Sequence, residues 1–178
     1  MPSPVVPIAI ISGSVGVGKS TVGSEVSEIL EAKGIPHTFI DFDQLSYTYP
    51  RSADDRWGSK LALMNLRDVW TNCLQFGSRN LVIASVVEDT AAVDDFRGAI
   101  ANSKVTTFQL SANVTTLQSR VRKREVGSGL NWHLNRTVEL AQILSGKAVP
   151  CDRRIETEDR AVIEVANEIV ESVAWQRS

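Results

Sequence analysis

Residues 13–20, Gly-Ser-Val-Gly-Val-Gly-Lys-Ser, have the types and spacing of a phosphate-cradling loop. The pattern G-x-x-x-x-G-K-[ST] needs its glycines so that the backbone can wrap tightly. Gly13, Ser14, Val15, Gly16, Val17 and Gly18 can then aim N–H groups at phosphate oxygens. Lys19 supplies charge for β- and γ-phosphates, and the Ser20 hydroxyl supplies a Mg²⁺ ligand. Thr21 lies in the first turn of the helix that follows, whose N-terminus adds partial positive charge. An apolar β-branched run leads into the loop and a helical pattern leads out of it. The expected ligand is a nucleoside triphosphate.

Two further groups fit the same chemistry. Asp41 and Asp43 leave the end of a predicted strand two residues apart, and point the same way if the strand continues. Phosphoryl transfer to a hydroxyl needs a carboxylate to orient it and accept its proton, and another often holds Mg²⁺ waters. Asp43, further into the loop, is the expected base; Asp41 is the expected outer-shell metal group. The second group is Arg120 and Arg124, a turn apart on one helix face. Guanidinium can stack on a base and fork onto phosphate oxygens. Gly127-Ser128-Gly129 follows at once, so residues 120–136 read as a short lid over the nucleotide. Arg122 and Lys123 read as a solvated face with Glu125 as partner.

Strands are predicted over 5–12, 37–41, 81–87, 105–110 and 153–157. Between them lie helices over 20–33, from Asp54 or Asp55 to Gly77, from Asp89 or Thr90 to Ile100, and from Ser111 or Asn113 onward. Two more are expected over 131–144 and 159–175. In the second helix Leu61, Met64, Leu66, Val69 and Leu74 fall mostly on one face. Strand–helix alternation with right-handed crossovers implies an α/β fold, a three-layer sandwich around a parallel sheet. Ligands in such sheets sit beyond the carboxyl ends of the strands. Candidate acceptor-side residues there are Asp41, Asp43, Trp57, Glu88 and Arg136, with Trp70, Trp132 and His133 as further possibilities. Asp89 is equally suited to a helix cap, His37 to a structural role, and Cys73 and Cys151 to packing. Arg153 and Arg154, by the fifth strand, are candidates near the base.

The chain has 178 residues, one domain's worth over 1–178, and is 43% apolar and 22% charged. Its 19 basic and 21 acidic residues give a net charge of −2, which argues against a nucleic-acid partner. Two cysteines without metal-ligand spacing fit a reducing compartment. Residues 1–4 read as a frayed tail, and the first apolar run as a strand, too short for a membrane span and without a charged leader. The expected location is cytoplasmic, as a monomer or homodimer.

Together these residues resemble the small P-loop kinases of the adenylate-kinase-like superfamily. Adenylylsulfate kinase, gluconate kinase and chloramphenicol phosphotransferase are the nearest likenesses. Gly13-x-x-Gly16-x-Gly18-Lys19-Ser20 looks like their loop. Asp41-Phe42-Asp43 is similar to the Asp-Gly-Asp motif of the sulfate and gluconate kinases, and an aspartate at the Asp43 position is the base proposed in the antibiotic kinase. Arg120-x-x-x-Arg124 looks like the lid arginines, the first against adenine and the second on the phosphates. The resemblance implies a P-loop NTPase fold with strand order 2-3-1-4-5, and ATP and Mg²⁺ as cofactors. Ser46 departs from an arginine in the sulfate kinase, and the third strand ends towards Ser85 without the usual Walker B aspartate. Residues 47–51 match no substrate motif. The expected function is transfer of the γ-phosphoryl of ATP to a hydroxyl of a small metabolite, nucleotide or antibiotic, with Lys19, Asp43 and Arg124 catalytic. A nucleotide-binding sensor without transfer is the alternative. A GTPase is disfavoured: Asp55-Arg56-Trp57-Gly58 imitates D-x-x-G but ends no strand, and no N-K-x-D follows.

Overall fold

The computed structural model describes residues 4–146 and 149–177; the expected tail at 1–3 lies outside them. Five strands, β1 (Val6–Ser12), β2 (His37–Asp41), β3 (Asn80–Ala84), β4 (Ser103–Ser111) and β5 (Arg153–Glu156), form one parallel sheet in the order β2-β3-β1-β4-β5. Six helices connect them: α1 (Lys19–Ala32), α2 (Ser59–Gln75), α3 (Thr90–Ala99), α4 (Val114–Arg124), α5 (Leu130–Leu144) and α6 (Val162–Ser172). The expected order is the observed one.

β1 is the axis of the molecule, and its unbroken apolar run has a simple cause. Side chains alternate between the two faces of a strand, and here both faces are covered. Ala9 and Ile11 enter one core with Val22, Val26 and Leu30 of α1, Leu117 of α4, and Val165 and Ile169 of α6. Ile8 and Ile10 enter the other with Ala62, Leu66 and Trp70 of α2, and Val93 and Phe96 of α3. The buried stripe of α2 is therefore Ala62-Leu66-Trp70 at four-residue spacing, while Met64 and Leu74 face outward. Trp70 is a core residue, 4% exposed.

Two helix starts differ from simple capping, and a third follows it. α2 begins after Gly58, and Asp55 reaches forward to accept the N–H groups of Lys60 and Leu61 at 3.2 and 3.1 Å. The Asn113 side chain does not cap α4; Glu158 does so from across the sheet edge, accepting from Asn113 N and Thr116 Oγ1. Those bonds hold its carboxyl below the usual range, the Thr116 bond first. Asp89 caps α3 as expected, through Ala92 N.

At the amino ends of the strands the fully buried Asn80 ties three segments together. Its Nδ2 donates to Pro36 O (2.7 Å) and Gln176 O (2.9 Å), and its Oδ1 accepts from Gln176 N (2.8 Å). Gln176 Nε2 also donates to Val5 O. Replacing Asn80 by Ala takes the partner from the N–H and C=O of Gln176 and lowers stability by about 1–2 kcal/mol. A urea titration should show this as a lower midpoint at unchanged slope.

Candidate functional site

The loop between β1 and α1 is fixed by close approach as well as by its turns. Gly13 (φ 145°) passes so near β4 that a Cβ would lie 2.6 Å from Leu110 O. Gly16 (φ 84°) passes α4 equally closely, with Leu117 O 2.7 Å from a Cβ. Neither backbone conformation suits a side chain. Val17 is buried in the core and pins the loop between these contacts. Gly18 (φ 104°) then turns the chain into α1.

Lys19 lies across this loop, its Nζ donating to Gly13 O (2.9 Å) and Ser14 O (3.2 Å). Withdrawal from solvent lowers its pKa from 10.5 to about 8. The charges of Asp43 and Asp41 work the other way, and Arg124 adds to the depression. Burial also raises the Asp43 pKa; Lys19 opposes that rise and Asp41 reinforces it. Lys19 and Asp43 thus lie close enough for the charge of each to bear on the proton of the other. Such paired perturbation is common at sites where protons or charge are handled.

The two aspartates arrive differently from the strand-continuation expectation. β2 ends at Asp41, and residues Phe42–Ser46 turn into a short 3₁₀ helix. The buried Phe42 anchors this turn edge-on against Phe96, ring centroids 5.0 Å apart. β3 also lies between β2 and β1, so the strands carrying the loop and the aspartates are not neighbours. Asp41 still meets the loop, because Ser20 stands on the first turn of α1: its Oγ donates to Asp41 Oδ2 at 2.6 Å. Asp41 is in register with Ala84, the last residue of β3. A carboxylate from β2 therefore stands level with the end of β3, which supplies none there and runs on into Ser85.

Ser20 and Asp41 are an oxygen-only pair. Mg²⁺ keeps several waters and is held by one or two protein oxygens together with substrate phosphates, which this pair fits. Among the described residues there is no group of three or more His, Cys, Asp or Glu suited to holding a metal without such a partner.

Two cavities flank the loop. The first, about 360 Å³, is lined by Lys19, Ser20 and Thr21 together with Asp43. Arg124 reaches it, and Trp57, Ser85, Glu88, Trp132, His133 and Arg136 form its outer wall. Arg136 bonds Glu88 through Nη2 and Glu139 through Nη1 (2.9 Å), and lies 5.3 Å from the centre of the Trp57 ring. α5 rests on the loop here, with Leu140 and Leu144 packed against Val15 and Val86. His133 stands edge-on to Trp132 at 4.9 Å; its Nε2 is 3.7 Å from Glu125, and its Nδ1 is buried without a hydrogen-bond partner.

The second cavity, about 320 Å³, opens on the other side of the loop. Gly16, Gly18, Thr21 and Arg124 line both cavities, so they form a shared threshold. Arg120 is anchored there, donating to Val17 O (3.4 Å), Thr157 Oγ1 (3.1 Å) and Thr157 O (3.2 Å). Arg124 pairs with Glu125 at 2.9 Å. Thr157, Arg160 and Val162 complete the wall. Sequence reasoning missed these three, since they follow the fifth strand in a stretch without motif. Arg153 and Arg154, the candidates it did offer there, are engaged elsewhere: Arg153 with Ser172 and Glu168, Arg154 with Gly146 O. His37 is structural as expected, held by Ser27 and by Ile35 O. Asp89 serves its helix and Glu88 faces the cavity.

No family model matches this chain, and no curated protein does. Solved structures do match it in fold. A gluconokinase from Sinorhizobium meliloti 1021 superposes with a TM-score of 0.60 at 18% identity, over 95% of this chain and 92% of that one. The tunicamycin resistance protein of Deinococcus radiodurans gives 0.63 at 18%, over 94% and 95%. The Mycobacterium tuberculosis APS kinase, solved with AMPPNP and APS, gives 0.59 at 22%, over 95% and 98%. The architecture is thus shared with these proteins along nearly its whole length. At such identities the likeness carries the fold alone.

Proposed function

We propose that this protein is a Mg²⁺–ATP-dependent kinase that phosphorylates a hydroxyl of a small molecule. The observation that carries this reading is the position of Asp43. It shares a cavity with Lys19 and Arg124, on the side away from the second cavity, with room beyond it for an acceptor. The second cavity then takes the nucleobase, between the anchored Arg120 and Val162, and the triphosphate crosses the shared threshold. Backbone N–H groups of the loop, Lys19 and Arg124 stabilise charge on the transferring group. Ser20 and Asp41 would hold Mg²⁺, which would supply neutralisation of phosphate charge. Asp43 orients the acceptor hydroxyl and takes its proton, a role that suits a carboxylate with a raised pKa. Kinases acting on gluconate and on APS share this fold, which supports the reading.

The test is ADP release from Mg²⁺–ATP across pooled hydroxyl compounds, with Lys19→Ala as blank. An acceptor-dependent rate above the blank supports the kinase. Tight nucleotide binding without release in any pool favours a nucleotide sensor, the reading that the carboxylate-free end of β3 keeps open.

A proton-linked signature is expected as well. Near pH 8.5 Lys19 in the free protein is largely deprotonated, since its pKa is lowered to about 8. Triphosphate beside it favours the charged form and raises that pKa. Binding of Mg²⁺–AMPPNP at pH 8.5 should therefore take up protons, and at pH 6.5 Lys19 should contribute almost none. Calorimetry in buffers of different ionisation enthalpy measures this; an enthalpy at pH 8.5 that ignores the buffer overturns it.

A further inference from the structure

The outer wall of the first cavity is specific enough to narrow the acceptor. Trp57 and Trp132 stand with ring centroids 6.4 Å apart and planes tilted by 41°. Both are about half exposed, at 51% and 52%, although both line the cavity. Large aromatic rings left open at the wall of a cavity provide flat surfaces on which a ligand ring can stack.

The charges on that wall are already matched. Arg136 is largely buried there, with a side chain 16% exposed. Its two terminal nitrogens are occupied, one by Glu88 and the other by Glu139, and its plane covers Trp57. An acid entering the cavity finds the charge of Arg136 already matched by two carboxylates and meets those of Glu88 and Asp43. Arg124 is paired with Glu125, and Lys19 is turned to the loop. Arg56 stands 5.1 Å from the Trp57 ring but does not line the cavity. Hydroxyl groups fare differently. Glu88 is 38% exposed and engages Arg136 through Oε1, so its carboxylate remains a strong acceptor for O–H donors. Ser46, Ser59 and Ser85 add hydroxyls to the same wall.

We infer that the acceptor is an uncharged, hydroxyl-bearing ring compound, a sugar or a nucleoside, and that Glu88 enforces this choice by occupying Arg136. Selectivity here comes from repulsion of acids as much as from attraction of hydroxyls. The inference rests on the first cavity being the acceptor site.

The experiment uses matched pairs that differ in one anionic group: glucose with glucuronate, and uridine with uridine monophosphate. Binding to the Mg²⁺–AMPPNP complex is read by quenching of tryptophan fluorescence and by calorimetry, and transfer is read separately by ADP release from ATP. In at least one pair the neutral member should bind about tenfold tighter than its acid. The responding pair tells a sugar from a nucleoside. Glu88→Gln should weaken the neutral member and tighten the acid, shrinking that ratio about tenfold. Tighter binding of the acids, an unchanged ratio in Glu88→Gln, or no binding of any of the four at millimolar concentration overturns the inference. Neutral-ring binding without ADP release sinks the kinase and leaves the acceptor class standing. ATP-dependent transfer to an acid does the reverse.

Discussion

Lys19→Ala should lower acceptor-dependent ADP release by on the order of a thousandfold, the effect of deleting a fixed donor from developing negative charge. Two features of the site make the effect large. Lys19 is held at the loop by Gly13 O and Ser14 O, within reach of the threshold that both cavities share. Its ammonium is also poorly hydrated, so its interaction with phosphate is weakly screened. The same poor hydration predicts that the fold survives the change. A group whose pKa falls from 10.5 to about 8 on folding is held charged at neutral pH against the preference of its surroundings. Removing it relieves that cost. Thermal unfolding at pH 7 should therefore show no loss in midpoint comparable to the loss in rate. A variant that unfolds in proportion to its lost activity would count against a direct role for Lys19 in transfer.

Asp43→Asn should separate binding from chemistry. Transfer falls by about 10²–10⁴-fold when a positioned base is lost, while affinity for Mg²⁺–AMPPNP changes little. The side chain is close in shape, and Asp43 lines the first cavity and not the second. The pH dependence has a defined sign. Burial raises the Asp43 pKa, so the acid limb of kcat/KM should lie above the ordinary aspartate range, with activity lost as pH falls through it. In Asp43→Asn that limb should vanish. A collapse of nucleotide affinity, or an acid limb that persists, would assign Asp43 to the metal or to the turn instead.

Much of this was legible in the sequence because local rules and tertiary demands agree. The loop from Gly13 to Ser20 announces itself, since close approach to Leu110 and Leu117 admits only glycine at two positions. The strand order followed from a family likeness and not from the residues alone. The 3₁₀ turn at 42–46 escaped notice because its anchor, Phe42 against Phe96, pairs residues far apart in the chain. Arg120 was expected beside a base and is bound to Val17 and Thr157, partners that exist only once β5 and the loop are assembled. Thr157, Arg160 and Val162, which line the second cavity, carry no signature, because the fold and not a local motif brings them to the loop. The pairing of Arg136 with Glu88 spans 48 positions and became visible only with α5 laid over the loop.

The knot of bonds around Asn80 brings the two ends of the described chain together, with Gln176 bonded to Val5 and to Asn80. The backbone thus runs as a nearly closed circuit. Its opening lies at the amino ends of the strands, whereas the phosphate loop and both cavities lie at the carboxyl ends. A tether, surface or fused protein joined at either end would pull on the sheet from behind. The strands would carry that load in parallel, and the chemistry would proceed on the unburdened side.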